Sequence, residues 1–133
     1  MANSWDAQIK LLYAASDGTS NSLATIKLDA PFDVVADIEV GENINGFGIA
    51  DELNVSVRNL SQFKVAATGN ASRTLTPVQQ PRNERLKVDI PSGWGGNAQV
   101  GDLLEVVATY RFDAGAYTDY SSAESKRFIV VKA

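Results

Sequence analysis

The side chains best suited to chemistry in this sequence are carboxylates, because the chain contains neither histidine nor cysteine. Ser-His-Asp catalysis, Cys-His catalysis and cysteine-type zinc sites are therefore excluded within this chain. Two carboxylates alone can hydrolyse a glycosidic bond. The candidates are Asp33, Asp37 and Glu39 in one alternating segment, and the adjacent Asp51 and Glu52. We favour the alternative that they form the solvated side of half-buried strands, and we predict no catalytic residue.

Oxygen-rich loops raise the separate question of calcium. Residues 17–21, Asp-Gly-Thr-Ser-Asn, offer oxygen atoms at alternate positions but only one carboxylate, whereas a calcium loop has several. Residues 113–124 are richer in oxygen and include Asp119. We favour polar turns at both places and predict no metal site and no cofactor, while calcium binding by these loops stays open.

The stretch Gly93-Trp94-Gly95-Gly96 has two interpretations. Trp94 either plugs one end of the fold or is exposed and contacts a partner, in which case it joins Tyr117 and Tyr120 in an aromatic recognition surface. We favour the plug and keep Trp94, Tyr117 and Tyr120 as candidate contact residues. No helix is predicted after the glycines, so we reject a phosphate-binding loop.

Composition limits the class of protein and its partners. A length of 133 residues predicts a single domain over 1–133. The net charge of −4 and the scattered basic residues argue against nucleic acid and anionic membranes as partners. No apolar run is long enough to insert into a bilayer. Since disulfides are impossible, stability must come from packing.

Apolar residues alternate with polar ones along most of the chain, which is typical of strands with one buried face. In the first such segment the predicted buried side is Trp5, Ala7, Ile9, Leu11 and Tyr13. A polar turn follows, and then a second alternating segment ends at Ala30, so we predict an N-terminal hairpin extension over 1–30. Pro31 marks the predicted seam between this hairpin and a sandwich over 31–133.

Further alternating segments predict strands near residues 32–40, 53–57, 63–67 and 86–90, whereas residues 68–83 are predicted to be mostly loop. A closing hairpin is predicted from Leu104 through a turn at residues 113–115 and back to Val131. The count is about eight short strands joined by Gly, Pro, Asn and Asp turns. This pattern predicts an all-β fold, an antiparallel immunoglobulin-like sandwich with the extra hairpin at its start.

The last third of the chain carries a family resemblance. Its elements are Leu86–Pro91, Gly101-Asp102, Val106–Asp113, Gly115, Ser121-Ser122 and Phe128–Val131. Residues 86–131 thereby resemble the second half of bacterial and phage immunoglobulin-like repeats, and the strand order resembles them from about residue 34. The resemblance implies an immunoglobulin-like fold and a place in surface adhesins or virion proteins. The chain departs from the family in having Gly115-Ala116-Tyr117 at the hairpin tip and in its N-terminal addition.

Three functions remain open at this point. We favour a non-enzymatic structural or adhesive module that builds or decorates a virion or cell surface by contacting itself or a larger assembly. The alternative is a carbohydrate-binding module or lectin that uses the three aromatic residues, and a glycosidase is the weakest candidate. Residues 1–6 show neither a basic start nor an apolar core of a secretory signal. We therefore expect either that the protein is made and used in the cytosol or that it reaches a virion or extracellular surface by another route, such as particle assembly followed by lysis.

Overall fold

The computed structural model of the chain describes residues 3–133, so residues 1 and 2 of the predicted boundaries lie outside it. One short helix, α1 (Glu42–Asn45), and one 3₁₀ turn, Trp94–Asn97, interrupt the strands. No helix among the described residues is long and apolar enough to cross a membrane. The strands are β1 (Ala7–Ser16), β2 (Thr25–Lys27), β3 (Phe32–Val40), β4 (Ala50–Asn59), β5 (Lys64–Thr74), β6 (Arg82–Ile90), β7 (Leu103–Asp113), β8 (Thr118–Glu124) and β9 (Phe128–Val131).

The strands form two sheets. Sheet 1 has the antiparallel order β1-β3-β6. Sheet 2 has the order β5-β4-β7, and β8 and β9 follow one another along the other edge of β7, where β2 adds parallel to β9. In the letters of immunoglobulin domains this is A-B-E in one sheet and C′-C-F-G in the other, with β8 and β9 sharing position G. The prediction of an all-β, immunoglobulin-like sandwich is confirmed.

The core lies between the two sheets and is built from alternate residues of each long strand. The largest fully buried side chains include Phe32 from sheet 1 and Tyr110, Phe112 and Phe128 from sheet 2. The rings of Phe32 and Phe128 meet edge to face with their centroids 5.8 Å apart. Burial of large aromatic rings supplies much apolar area per residue, so this chain has a substantial core without disulfides.

The predicted N-terminal hairpin is not formed. β1 pairs with β3 from Ala7 to Ser16, and β2 pairs with β9 at the edge of the other sheet. β1 and the segment before β2 meet only at the bridge between Ala15 and Ser22. The residues on either side of Pro31 therefore belong to one sandwich, because the first two strands complete the two sheets rather than pair with each other.

The predicted buried side of β1 is correct only in its first half. The pairing register of β1 with β3 changes between Ile9 and Leu11, and this change marks a β-bulge. A bulge adds one residue to a strand and reverses which residues point inward. As a result Leu11 is exposed and Leu12 is buried, the reverse of the simple alternation. Trp5 precedes the strand and is also exposed.

The prediction of a loop over residues 68–83 is wrong for its first half, because β5 continues to Thr74. The inner side of this strand carries small residues, such as Gly69. A β-carbon at Gly69 would lie 2.6 Å from Cγ1 of Val88 on β6. β5 passes so close to β6 that its inward positions need small residues. Small residues do not give the alternation of large apolar and polar side chains from which strands are predicted.

Candidate functional site

Trp94 lies in the core, as its interpretation as a plug predicts. It is 3% exposed, and its indole Nε1 donates a hydrogen bond of 2.9 Å to the carbonyl oxygen of Ala30. Its ring meets Phe32 edge to face at 6.0 Å. The preceding turn is fixed by Asp29, whose Oδ1 accepts the backbone N–H groups of Gly93 and Gly95. The glycines around Trp94 therefore serve to close the end of the sandwich.

Tyr117 and Tyr120 lie far from Trp94. The Trp94 turn is tied to the end of β4 by the hydrogen bond from Asn59 Nδ2 to the Asn97 carbonyl, and Asn59 pairs with Leu104 at the start of β7. Tyr117 lies in the turn beyond the other end of β7, and Tyr120 is 70% exposed on β8. The length of β7 is about 33 Å at the usual rise per residue. The three aromatic residues do not form one surface, and contact through the two tyrosines stays a prediction.

The carboxylates considered for catalysis do not share a cleft. Asp37 forms a surface ion pair with Arg85, with 2.7 Å between Oδ1 and Nε, on the outer side of sheet 1. Asp51 is buried and accepts hydrogen bonds from Arg73 and from the Tyr110 hydroxyl, at 2.6 Å and 2.7 Å. Its neighbour Glu52 points outward, with Oε1 3.8 Å from Arg111. Asp37, Asp51 and Glu52 are thus held in three separate ion pairs.

The Asp51 contacts belong to a network that joins the sheets at one corner. Arg73 on β5 also contacts Glu84 on β6 at 3.0 Å, and Arg82 contacts the same carboxylate at 2.8 Å. Burial acts to raise the pKa of Glu84, but the hydrogen bonds from Arg82 and Arg73 outweigh it and lower that pKa below its ordinary value. Loss of solvent and the bond to Asp51 raise the pKa of Tyr110. This network is structural, because it fixes the two strand edges that meet here.

One acidic cluster brings together residues from three segments. Carboxylate oxygens of Asp17, Asp33 and Asp89 all lie within 4.8 Å of one another. Loss of solvent, followed by the charges of Asp17 and Asp33, raises the pKa of Asp89. Asp33 already accepts the N–H of Gly18 at 3.0 Å. These oxygens are of the kind that calcium binds, and Asp17 is the one residue of the cluster that belongs to residues 17–21, where the sequence favours a polar turn over a calcium loop.

Residues 113–124, the second segment for which the sequence leaves calcium binding open, use several of their oxygens within the fold. Asp119 Oδ2 accepts the backbone N–H of Ala7 at 2.7 Å, and Ser121 Oγ accepts that of Ile9 at 3.1 Å. Asp113 Oδ1 accepts the N–H of Gly115. The side chains of β8 therefore cap the outer edge of β1, which leaves that part of the edge without free donors for strand addition.

The surface feature that the sequence analysis missed is an apolar region on the outer side of sheet 2. We call it the Phe63 face, formed by Phe63, Val65, Leu103, Val107 and Ile129. It contains a groove of about 660 Å³, the Phe63 groove, whose lining includes the first four of these residues. Leu103 and Ile129 are paired across β7 and β9, so the apolar surface continues beyond the groove.

Phe63 itself is exceptional in two respects. It is 94% exposed, and its backbone has φ = 54°, in the left-handed region that a bulky side chain rarely adopts. It lies in the turn between β4 and β5. The available signal in the sequence was the start of β7, where the pairs Leu103-Leu104 and Val106-Val107 place apolar residues on both sides of the strand.

Basic side chains surround this groove. Arg58, Lys64 and Arg127 belong to its lining, and no carboxylate does in the described chain. Arg127 contacts Glu105, with 3.6 Å between Nε and Oε2. Glu124 lies opposite Val107 at the neighbouring strand. The lining of the Phe63 groove thus combines apolar and basic side chains, in a chain whose net charge is negative.

Comparison with known proteins adds no assignment of family. Neither a protein-family model nor a curated protein sequence matches the chain. Among solved structures, a beta-glucuronidase from glycoside hydrolase family 2 matches 93% of this chain and 12% of its own length, at 12% identity and a TM-score of 0.47. BcpA, the major pilin subunit of Bacillus cereus, matches 92% of this chain and 40% of its own, at 11% identity and a TM-score of 0.44. The fold assignment therefore rests on the strand order of this chain.

Proposed function

We propose that this β-sandwich is a non-enzymatic structural module that builds or decorates a surface assembly through protein contacts made by the Phe63 face. The observation that carries this proposal is the exposed apolar groove centred on Phe63. Contiguous apolar patches on soluble proteins usually mark sites of interaction, whereas scattered apolar residues do not. The binding partner in this proposal is a protein, either another copy of this chain or a different protein that lies beside it in the assembly.

The backbone at Phe63 supports a role in contact rather than in folding. A left-handed conformation costs a non-glycine residue about 1 to 2 kcal/mol. Asp29, the other non-glycine residue with positive φ among those described, offsets that cost by accepting two backbone hydrogen bonds. The Phe63 side chain is almost fully exposed and recovers nothing from the core. Backbone strain that no interaction within the fold offsets is commonly found at binding sites.

In this proposal the partner binds the outer face of sheet 2 rather than the edge of β1. Asp119 and Ser121 accept hydrogen bonds from N–H groups that a neighbouring strand would need. A partner on the Phe63 face would instead bury side chains of β5, β7 and β9. A virion or extracellular location agrees with the resemblance of residues 86–131 to surface and virion repeats and remains part of the proposal.

Carbohydrate binding is the competing proposal, and it now depends on the two tyrosines. Tyr117 and Tyr120 are both exposed near one end of the sandwich, without Trp94. A sugar stacks on aromatic faces, so this function requires exposed rings rather than the apolar groove. The two proposals therefore depend on different aromatic residues.

Association of the purified chain tests the proposal. Sedimentation velocity and light scattering over a range of concentrations should show self-association that Phe63→Asn removes, since Asn tolerates positive φ and keeps the turn intact. Tyr120→Asn is the matched control, an exposed aromatic residue outside the groove, and should leave association unchanged. Association that is equal in Phe63→Asn and wild type overturns the proposal. So does glycan-array binding that Tyr120→Asn abolishes.

A further inference from the structure

A second exposed apolar cluster lies at the opposite end of the molecule from the Phe63 groove. We call it the Trp5 pole, formed by Trp5, Phe47, Ile49 and Val78, all of which are exposed. The rings of Trp5 and Phe47 stack with centroids 6.1 Å apart and planes inclined by 14°. The segment before β1 is fixed against α1 by the hydrogen bond from Ile44 N to the Ser4 carbonyl. The hydrogen bond therefore fixes the position of the stacked rings relative to α1.

The Trp5 pole and the Phe63 groove lie at opposite ends of sheet 2. Ile49 donates its N–H to the carbonyl of Asp113, the last residue of β7, and Val78 donates to Asn45 of α1. Leu103 in the groove is the first residue of β7. The two apolar surfaces are therefore separated by the length of β7, about 33 Å.

The Trp5 pole is acidic. Glu42 and Asp6 lie beside it on α1 and on the segment before β1, and neither forms an ion pair within the described chain. Asp113 adds a third carboxylate, whose Oδ1 accepts the N–H of Gly115 and which forms no ion pair with residues 3–133. The arginine nearest α1 is Arg82, and Glu84 already neutralises it. Acidic charge at this end is thus left for a partner.

The rim of the Phe63 groove has the opposite charge. Arg127 contacts Glu105, and Arg58 lies opposite the same glutamate on the neighbouring strand, while the charge of Lys64 acts on Asp102. Neither Arg58 nor Lys64 forms an ion pair of 4 Å or less within residues 3–133. Lys64 and Arg58 flank the turn that carries Phe63. The groove therefore combines apolar side chains with three basic ones, and the Trp5 pole offers exposed aromatic rings beside carboxylates that form no ion pair in the described chain.

We propose that copies of this chain associate head to tail, with the Trp5 pole of one copy seated in the Phe63 groove of the next. This inference rests on the proposed function and specifies its partner as a second copy. Because the two surfaces differ and each copy carries one of each, the contact is heterologous, so it produces an open chain of copies or a closed ring rather than a symmetric dimer. Complementary charge orients the two surfaces as they approach.

Complementation between two variants tests the direction of the contact. Phe63→Asn removes the groove side, and Phe47→Ser removes the pole side at an exposed position outside the strands. Circular dichroism and thermal melting establish that both variants are folded. Each variant alone should remain monomeric at concentrations where the wild type forms long assemblies. An equal mixture should form a heterodimer that grows no further, because each copy has one working surface.

The other outcomes separate this inference from the proposed function. If Phe63→Asn is monomeric but Phe47→Ser still forms dimers, the Phe63 faces pair with each other. The head-to-tail inference is then wrong while the proposed function stands. If the mixture fails to form heterodimers although both variants are monomeric, the inference is also overturned. If the wild type remains monomeric at about 1 mM, where only contacts weaker than about −4 kcal/mol go undetected, the head-to-tail inference is wrong, and the proposed function then requires a different protein as the partner.

Salt gives an independent readout of the charge argument. Raising the ionic strength from about 0.1 M to about 1 M shortens the Debye length from about 10 Å to about 3 Å. Association should weaken several-fold over this range, and Lys64→Gln should weaken it at low salt. Lys64→Gln removes the positive charge without placing a carboxylate near Asp102, so the melting temperature should stay near that of the wild type. Association that strengthens with salt, and that Lys64→Gln does not change, would contradict the role of charge in the proposed contact.

Discussion

Asp29 and Gly95 approach each other so closely that only glycine fits, since Asp29 Oδ1 lies 2.7 Å from the Gly95 amide nitrogen and a β-carbon at Gly95 would lie 2.7 Å from Asp29 Cβ. Asp29 is itself held at φ = 64°. The hydrogen bond fixes the 3₁₀ turn that begins at Trp94. The closure of this end of the sandwich therefore depends on a contact between a loop before β3 and the loop after β6.

Gly95→Ala should destabilise the protein by about 1 to 3 kcal/mol, the usual cost of forcing extra atoms into a filled position. Gly96→Ala is the matched control, because a β-carbon there meets nothing within 4 Å. Its effect should stay within about 0.5 kcal/mol. Urea unfolding of both variants measures the difference. Equal midpoints for the two variants would show that the turn adapts to the added carbon.

Arg73→Ala should be far more damaging than removal of a surface arginine. It leaves the buried carboxylate of Asp51 without its ion-pair partner, which costs about 3 kcal/mol, at the lower end of the usual range because Arg73 is partly exposed. Arg85→Ala breaks the exposed pair with Asp37 and should change stability little. Chemical denaturation compares the two. A small effect of Arg73→Ala would mean that water or Tyr110 satisfies Asp51 by itself.

The alternation of apolar residues was sufficient to predict the fold class, because both faces of the sandwich core are built from every second residue of β3, β4 and β7. The alternation failed to predict strands and buried positions where the inward-facing side chains are small or where a bulge interrupts the pairing. Gly69 and its neighbours on the inner side of β5 are small because β6 passes close by. The bulge in β1 turns Leu12 into the core and Leu11 towards solvent. Both features follow from contacts between strands distant in sequence.

The candidate contact residues were predicted only in part for a related reason. Trp94 and the tyrosines were grouped by type, but the length of β7 separates them. The prominence of Phe63 depends on its backbone conformation and its exposure, and neither is visible in the segment Leu60-Ser61-Gln62 that precedes it. The pairing partners of β1 and β2 also depend on long-range contacts, so a polar turn between two alternating segments favoured a hairpin that does not form.

Trp94→Ala should destabilise the protein by about 3 to 5 kcal/mol, since it removes a large buried aromatic ring and its hydrogen bond to Ala30. Trp5→Phe, at an exposed position, should change the stability little and serves as the background for fluorescence. In that background the emission of Trp94 should be blue-shifted and protected from a soluble quencher. Red-shifted, quencher-accessible emission would contradict the buried position.

The pH dependence of stability should have opposite signs at Asp102 and Asp89. The hydrogen bond from Asn59, aided by the Gln99 N–H and Gln62, lowers the pKa of Asp102. A carboxylate with a lowered folded pKa stabilises the fold above its unfolded pKa of about 4, and the contribution is lost as the pH falls through the folded value. Asp102→Asn should therefore lower the urea midpoint at neutral pH, and the difference from wild type should shrink as the solution is acidified.

Asp89 gives the contrasting case within the same experiment. Its raised pKa means that its ionised form is less favourable in the folded chain than in the unfolded chain. Asp89→Asn should raise the urea midpoint at neutral pH, and this gain should disappear as the pH falls through the folded pKa towards about 4. A lower midpoint for Asp89→Asn at neutral pH would show that its charge is used by the fold or by a bound cation.

Deletion of residues 1–30 should unfold the remainder, contrary to the sequence-based interpretation of these residues as an extension of a sandwich over 31–133. The deletion removes the strand that pairs along the whole of β3 and takes Leu12 and Ile26 from the core. It also opens β3, which would become an unpaired edge prone to aggregation. The far-ultraviolet circular dichroism and melting curve of the truncated protein test this. A cooperative transition near that of the full chain would show that the first two strands are dispensable and restore their interpretation as an extension.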